Sequence, residues 1–227
     1  TNLYTVEDMP DIDYLLISHD HWDHLDYATA TALRSKVGQV VCPLGVGAHF
    51  EAWGYGKETV FEGDWYSVLE GKGGFAIHIL PARHFSGRSL TRNKTLWAGF
   101  ALVTPERRIF FSGDSGYGKH FAEIGARFGG FDLAMLDCGQ YDENWRYVHM
   151  MPEDTAQAAE DLRARALLPG HVGKFAIAYH TWDDPFKRIV AASRGKPYRL
   201  LLPLIGEPVA LPIASDGESL RWWEAGR

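Results

Sequence analysis

Short apolar runs alternate with stretches of helical periodicity along most of the chain. Residues 12–18, IDYLLIS, form a short apolar run and read as a buried strand. Residues 28–37 read as a helix that Gly38 stops. The β-branched and apolar stretch 39–44 predicts a strand, as does the alternating stretch 75–81. Residues 96–104 and 107–112 predict two strands, and Pro105-Glu106 between them predicts a tight hairpin. A helix is expected over 118–128 and a strand over 131–137. Pro152 opens a helix that should run to about Arg165, with Glu153 and Asp154 in its first turn, where acidic groups favour the helix dipole. A short strand over 166–169, a helix over 183–193 and strand-like segments to Trp223 complete the pattern. Strands and helices alternating in this way predict layered α/β architecture. No repeat or linker interrupts it, so residues 1–227 are expected to form a single domain.

Composition changes this picture little. An apolar fraction of 46% supports a sizeable core. A formal charge of −6, with both signs interspersed, argues against nucleic acid as a partner and leaves a small-molecule or lipid-like substrate as the expectation. Cys42 and Cys138 both lie in apolar runs and read as buried, reduced thiols. No apolar run approaches the ~18 residues of a membrane span, and no secretory segment opens the chain. A cytoplasmic location is the expectation. Thr1 is not an initiator Met, so native residues are expected before it.

The chemistry lies at the strand ends. His19, His21, Asp23 and His24, in the run HDHWDH, follow the first strand. His84, Asp114 and His171 each follow a later one. Side chains on loops at strand ends converge when a sheet positions them. Neutral imidazole and carboxylate suit zinc, manganese or iron. In an extended loop His19 and His21 point the same way and can grip one ion. A turn after Trp22 can swing Asp23 and His24 toward a second ion, and Asp114 can bridge the pair. Two ions ~3.5–4 Å apart share a water and lower its pKa. Arg88, Arg92 and Lys94 follow His84 and either receive a phosphate or form a solvated loop. Asp26 either orients a metal-bound imidazole or caps the next helix. Aromatic residues flank the motifs, among them Trp22, Phe85, Tyr117, Trp145, Phe175 and Tyr179. They line an apolar pocket or pack under loops.

His19-x-His21-x-Asp23-His24, His84, Asp114 and His171 resemble, in order, the metal motifs of the metallo-β-lactamase superfamily. The resemblance covers nearly the whole chain. It implies a four-layer αββα sandwich, here lacking its first N-terminal strands because only 18 residues precede His19. It also implies that His19, His21 and His84 bind one ion, that Asp23, His24 and His171 bind the other, and that Asp114 bridges. The segments ISHDHWDHLD, HFSGR, NKTLW, GDSGY, HMMPE and HVGKF are similar to the branch containing N-acyl-phosphatidylethanolamine-hydrolysing phospholipase D and its bacterial relatives. That likeness implies a pocket role for His149, which contacts a substrate oxygen or protonates a leaving group.

The expected function is therefore hydrolysis by a hydroxide bridging two divalent ions, zinc first and manganese or iron otherwise. Asp23, Asp114 and His149 are the candidate catalytic residues. Arg88, Trp22 and Tyr117 are the candidate substrate contacts. A phosphodiester is the first expected substrate. A lactone, as in the related L-ascorbate-6-phosphate lactonase branch, is the alternative, and a non-catalytic metal-binding protein on the same fold is a third. A homo-oligomer is also an open expectation.

Overall fold

The computed structural model describes residues 4–174, 177–212 and 221–224. Two sheets pack face to face, with helices on both outer faces. β1 (Ile12–Leu16), β2 (Val37–Pro43) and β3 (Val60–Gly63) form a three-stranded parallel sheet in the order β1-β2-β3. α1 (Tyr27–Leu33) and α2 (Gly47–Ala52) pack on its outer face. The second sheet has seven strands: β4 (Val68–Glu70), β5 (Ala76–Leu80), β6 (Gly99–Val103), β7 (Arg108–Phe111), β8 (Leu133–Asp137), β9 (Ala166–Gly170) and β10 (Arg199–Leu200). They lie in the order β10-β9-β8-β7-β6-β5-β4. α3 (His120–Phe128), α4 (Pro152–Asp161) and α5 (Asp184–Ala192) cover its outer face.

Strand alternation builds the layers. In β2, Val40 and Cys42 turn toward α1 and α2, while Val41 between them turns toward the seven-stranded sheet. In β5, Ile77 and Ile79 face the inner layer and Leu80 faces the α3–α5 side. Phe110, Phe121, Ile124 and Phe131 fill the outer core beneath α3. The architecture is the four-layer sandwich expected, a helix layer, two sheets and a second helix layer.

Several boundaries differ from the sequence pattern. The helix expected over 28–37 ends at Leu33. Val37 and Gly38 instead open β2, because Val37 pairs with Ile12. Lys36 also fixes the turn, its Nζ donating to the carbonyls of Val6, Glu7 and Met9. The helix after Pro152 stops at Asp161, and Arg163 at φ 53° turns the chain into β9. α2, β3 and β4 were not legible in the pattern, being only three to six residues long. The strand-like tail contributes only β10 among the described residues, and 213–220 lie outside them. Cys42 and Cys138 are buried and unpaired, as read from their apolar surroundings.

Candidate metal centre

β7, β8 and β9 are parallel neighbours, so their carboxyl ends lie side by side at one edge of the sandwich. Asp114 follows β7, Asp137 ends β8 and His171 follows β9. The loop after β1 brings His19, His21, Asp23 and His24 to the same edge, and the loop after β5 brings His84. Close backbone contacts hold these loops together. A Cβ on Gly139 would lie 2.0 Å from the His171 carbonyl oxygen, so only glycine lets the β8 and β9 loops pass. His171 itself sits at φ 58°, a left-handed conformation that is uncommon for a residue with a side chain and concentrates at functional sites. Gly113, at φ 58°, lets the chain pass Ser18 and Ala98 immediately before Asp114.

Two donor sets emerge. In the first, His19 Nε2 lies 2.9 Å from His21 Nδ1, and His84 Nε2 lies 3.2 Å from the same atom. The His84 Nδ1–H donates to the Val148 carbonyl at 2.9 Å, which leaves Nε2 as a lone pair. Ser18 Oγ engages His19 Nδ1 at 3.0 Å in the same way. In the second set, Asp23 Oδ2 lies 3.4 Å from both His24 Nε2 and His171 Nε2. Asp114 stands between the sets. Its Oδ2 is 3.0 Å from His24 Nε2 and 3.8 Å from the Nε2 atoms of His19 and His84.

The electrostatics of the two sets differ in sign. Burial drives His19 well below the ordinary histidine range, and its histidine neighbours add to the shift. Burial pushes His84 down to about 4 against the pull of Asp114, and it lowers His21 as well. Burial also opposes charge on His24, but the carboxylates of Asp114 and Asp23 override it and raise His24 to about 9. At His171 burial again opposes charge, and Asp137 and Asp23 lift it to about 11. The close imidazoles of His171 and His24 hold Asp23 far below the usual carboxylate range.

These residues fit divalent ions. Two imidazole nitrogens, His19 Nε2 and His84 Nε2, lie within 3.2 Å of a third, His21 Nδ1, and burial biases the first two strongly to the neutral form, so the three offer lone pairs to a common cation. His24 Nε2 and His171 Nδ1 are buried without a hydrogen-bond partner. The sets His19-His21-His84, His19-His24-Asp114 and Asp23-His24-His171 each place one donor atom per residue within 4.8 Å of the others.

A cavity of about 470 Å³ opens over the cluster. His21, Asp23, His84, Asp114, His149 and His171 form its floor, with walls of Phe85, Trp145, Val148 and Ile177. Arg92 is the cation among its described lining residues, its guanidinium 5.1 Å from the Phe85 ring centre. Three sequence candidates lie off this lining. Arg88 donates to the carbonyls of Asp20 and Leu25 and stacks over Trp22 at 3.9 Å, so it braces the HDHWDH loop. Trp22 is exposed on the far side of that brace. Tyr117 donates to Asp161 and packs against Phe121, between α3 and α4. Asp20 is buried and accepts from the Gly87 backbone, tying together the loops that carry His19–His24 and His84. Asp26 caps α1 by accepting from the Thr29 backbone at 2.7 Å. Phe175 lies outside the described residues.

One residue of the cluster escaped the sequence pattern. Asp137 is buried under the cavity, where its Oδ2 accepts from His149 Nδ1–H at 2.9 Å. The available signal was a lone carboxylate closing an apolar strand, LAMLD, beside strands that end in ligands.

Comparisons with known proteins bear on the family and the fold. Residues 2–172 match the beta-lactamase superfamily domain family. The chain is 42% identical over 205 residues to an uncharacterised protein of Mycobacterium tuberculosis, covering 88% of this chain and 55% of that protein. It is 35% identical over 184 residues to N-acyl-phosphatidylethanolamine-hydrolyzing phospholipase D 1 of Caenorhabditis elegans, covering 76% of this chain and 52% of that enzyme. The chain thus spans about half the length of these curated relatives. Among solved structures it resembles Igni18, a metallo hydrolase from the archaeon Ignicoccus hospitalis, with a TM-score of 0.66 at 18% identity over 85% of this chain and 76% of that one. That likeness concerns the fold. Among the described residues, no helix is long and apolar enough to cross a membrane.

Proposed function

The chain belongs to the beta-lactamase superfamily domain family, and from that premise we propose that it is a metal-dependent hydrolase of phosphodiesters carrying an apolar substituent. The observation that carries this reading is the cavity. A floor of imidazoles and carboxylates faces one guanidinium, Arg92, set among Phe85, Trp145, Val148 and Ile177. Arg92 suits a phosphate oxygen, and the apolar wall suits a chain or ring attached to it. The likeness to the nematode phospholipase D supports the same class.

His19, His21 and His84 would hold one ion, and Asp23, His24 and His171 the other, with Asp114 between them. Two divalent ions, zinc by donor chemistry, would supply Lewis acidity, making a water nucleophilic at neutral pH and neutralising charge on the attacked centre. Asp23 and Asp114 present carboxylate oxygens at the floor that accept hydrogen bonds from the entering water and orient it. His149, at the edge of the cavity floor, donates a proton to the departing oxygen. Arg92 holds a non-bridging oxygen and turns the phosphate toward the floor. Walls of aromatic and aliphatic side chains limit access of bulk water.

The test is metal analysis joined to a substrate panel of a phosphodiester, a lactone and a β-lactam. The protein as isolated should carry close to two ions per chain and turn over the phosphodiester. Turnover of the lactone alone would replace the phosphodiester reading. Absence of bound transition metal, with unchanged hydrolysis by the His19→Ala/Asp114→Ala double variant, would end the metal reading as well.

A further inference from the structure

Asp137 ends β8, between the strands that lead to Asp114 and His171, and its side chain is fully buried. A carboxylate in that position is costly unless its oxygens are bonded. Oδ2 accepts from His149 Nδ1–H at 2.9 Å and from the Ser115 backbone N–H at 3.2 Å. Oδ1 accepts from the Gly139 backbone N–H at 3.4 Å and lies 3.7 Å from His171 Nδ1. Thr155 Oγ1 donates to the Asp137 carbonyl at 2.7 Å, which anchors the strand end to α4, the helix that begins just after His149. The His149 ring is stacked on His171, with centres 5.3 Å apart and planes 19° apart, and it meets the His84 ring edge-on at 5.1 Å.

We propose that Asp137 is a positioning residue: it pins the His149 ring through Nδ1–H, so that Nε2 is the nitrogen offered to the leaving group. The inference rests on the phosphodiester reading above. Stacking on His171 fixes the plane of the ring but not which edge faces the cavity, because a half-turn about the Cβ–Cγ bond keeps the plane and exchanges Nδ1 with Cδ2 and Nε2 with Cε1. The bond to Asp137 selects one of them. The proton balance is simple. His149 enters the step with protons on both ring nitrogens; as the phosphorus–oxygen bond to the leaving group breaks, its electron pair goes to the departing oxygen, which takes the Nε2 proton and leaves a neutral ring still bonded to Asp137 through Nδ1–H. The entering water gives its hydroxyl to phosphorus, and its remaining proton returns His149 to its starting state. A metal-ligand role for Asp137 is the competing account, since Asp114, Asp137, His149 and His171 also place donor atoms within 4.8 Å of one another. The bonds from three N–H groups to Asp137 favour positioning.

The test uses the metal-loaded protein with Asp137→Asn, which removes the charge at constant shape, and Asp137→Glu, which restores it. Two phosphodiesters that differ only in leaving group are compared, one losing nitrophenolate, which departs without a proton, and one losing an alkoxide, which needs one. Asp137→Asn should cut kcat about 100-fold on the alkyl ester, spare the nitrophenyl ester, leave KM and metal content unchanged, and be partly rescued by Asp137→Glu. Equal losses on both esters, or loss of one metal equivalent, would overturn the proposal. Nitrogen NMR of the labelled imidazoles gives a readout that needs neither a substrate nor a variant. The wild-type His149 should hold a proton on Nδ1 whether or not Nε2 is also protonated, and a neutral ring protonated on Nε2 alone would overturn the proposal. If neither ester is hydrolysed while the Nδ1 proton is present, the phosphodiester reading fails and the positioning geometry stands.

Discussion

The two donor sets sit side by side and are prepared for a cation in opposite ways. His19 and His84 have side chains only 1% exposed, and burial holds them neutral, so their lone pairs are ready at neutral pH. Asp23 is 34% exposed, and it shares His24 and His171 with Asp114 and Asp137 through ion pairs that keep both imidazoles protonated. The difference teaches that burial and charge pairing are two routes to a metal site. Burial discourages the competing proton, whereas pairing retains it until an ion displaces it. We therefore expect the first set to bind an ion more tightly, and with less dependence on pH, than the second.

The largest effect that can break this contrast is loss of a buried ligand. His84→Ala should lower kcat about 1,000-fold or more and remove the tighter metal equivalent, because two histidines cannot replace three. His171→Ala should remove only the weaker equivalent and leave the first in place, as read by metal analysis after dialysis. Loss of both equivalents in His171→Ala would mean that the sets are not separate.

A second effect is the pH response of the metal-free protein. His24 and His171 have folded values raised to about 9 and about 11. Their stabilising contribution is fully present below the unfolded value of about 6.5 and is lost as pH rises through those folded values. His84, lowered to about 4, acts in the opposite direction. Its neutral burial destabilises the fold as pH drops below about 6.5, and the loss is complete near its folded value. Urea denaturation across pH should therefore show metal-free stability declining on both sides of neutrality. A flat alkaline limb would contradict the pairing of the second set.

Smaller effects separate the cavity from its supports. Arg92→Ala should raise KM for a phosphodiester about tenfold, the weight of one charged hydrogen bond, with metal content unchanged. Arg88→Ala should instead loosen the HDHWDH loop, lowering metal affinity in both sets, because it binds the carbonyls of Asp20 within that run and of Leu25 just after it. Asp26→Ala should cost about 1 kcal/mol of stability through loss of the α1 cap and change neither set. Thermal denaturation and metal titration on the same variant measure both parts of that expectation.

Much of this centre is legible in the sequence. The spacing of His19, His21, Asp23 and His24 after an apolar strand, with His84, Asp114 and His171 after later strands, implied that these side chains meet, and they do. The parts that were not legible have physical causes. Asp137 closes an apolar run, so its pattern is that of a strand end, and only the parallel order of β7, β8 and β9 places it under the cavity. Arg88 and Arg92 lie four residues apart in an irregular loop, where no period tells which one faces the site. Tyr117 flanks Asp114 in sequence but turns away to Asp161, because the chain there is entering α3. β3 and β4 are too short for alternation to register, and their pairing with distant strands defines them.

The most direct test is calorimetric titration of the metal-free protein with zinc at pH 7 in buffers of different ionisation enthalpy, which counts protons released at each step. The account predicts two steps, a tight one with almost no proton release as His19, His21 and His84 are filled, then a weaker one releasing close to one proton from each of His24 and His171. A single step, or equal proton release in both, would contradict it.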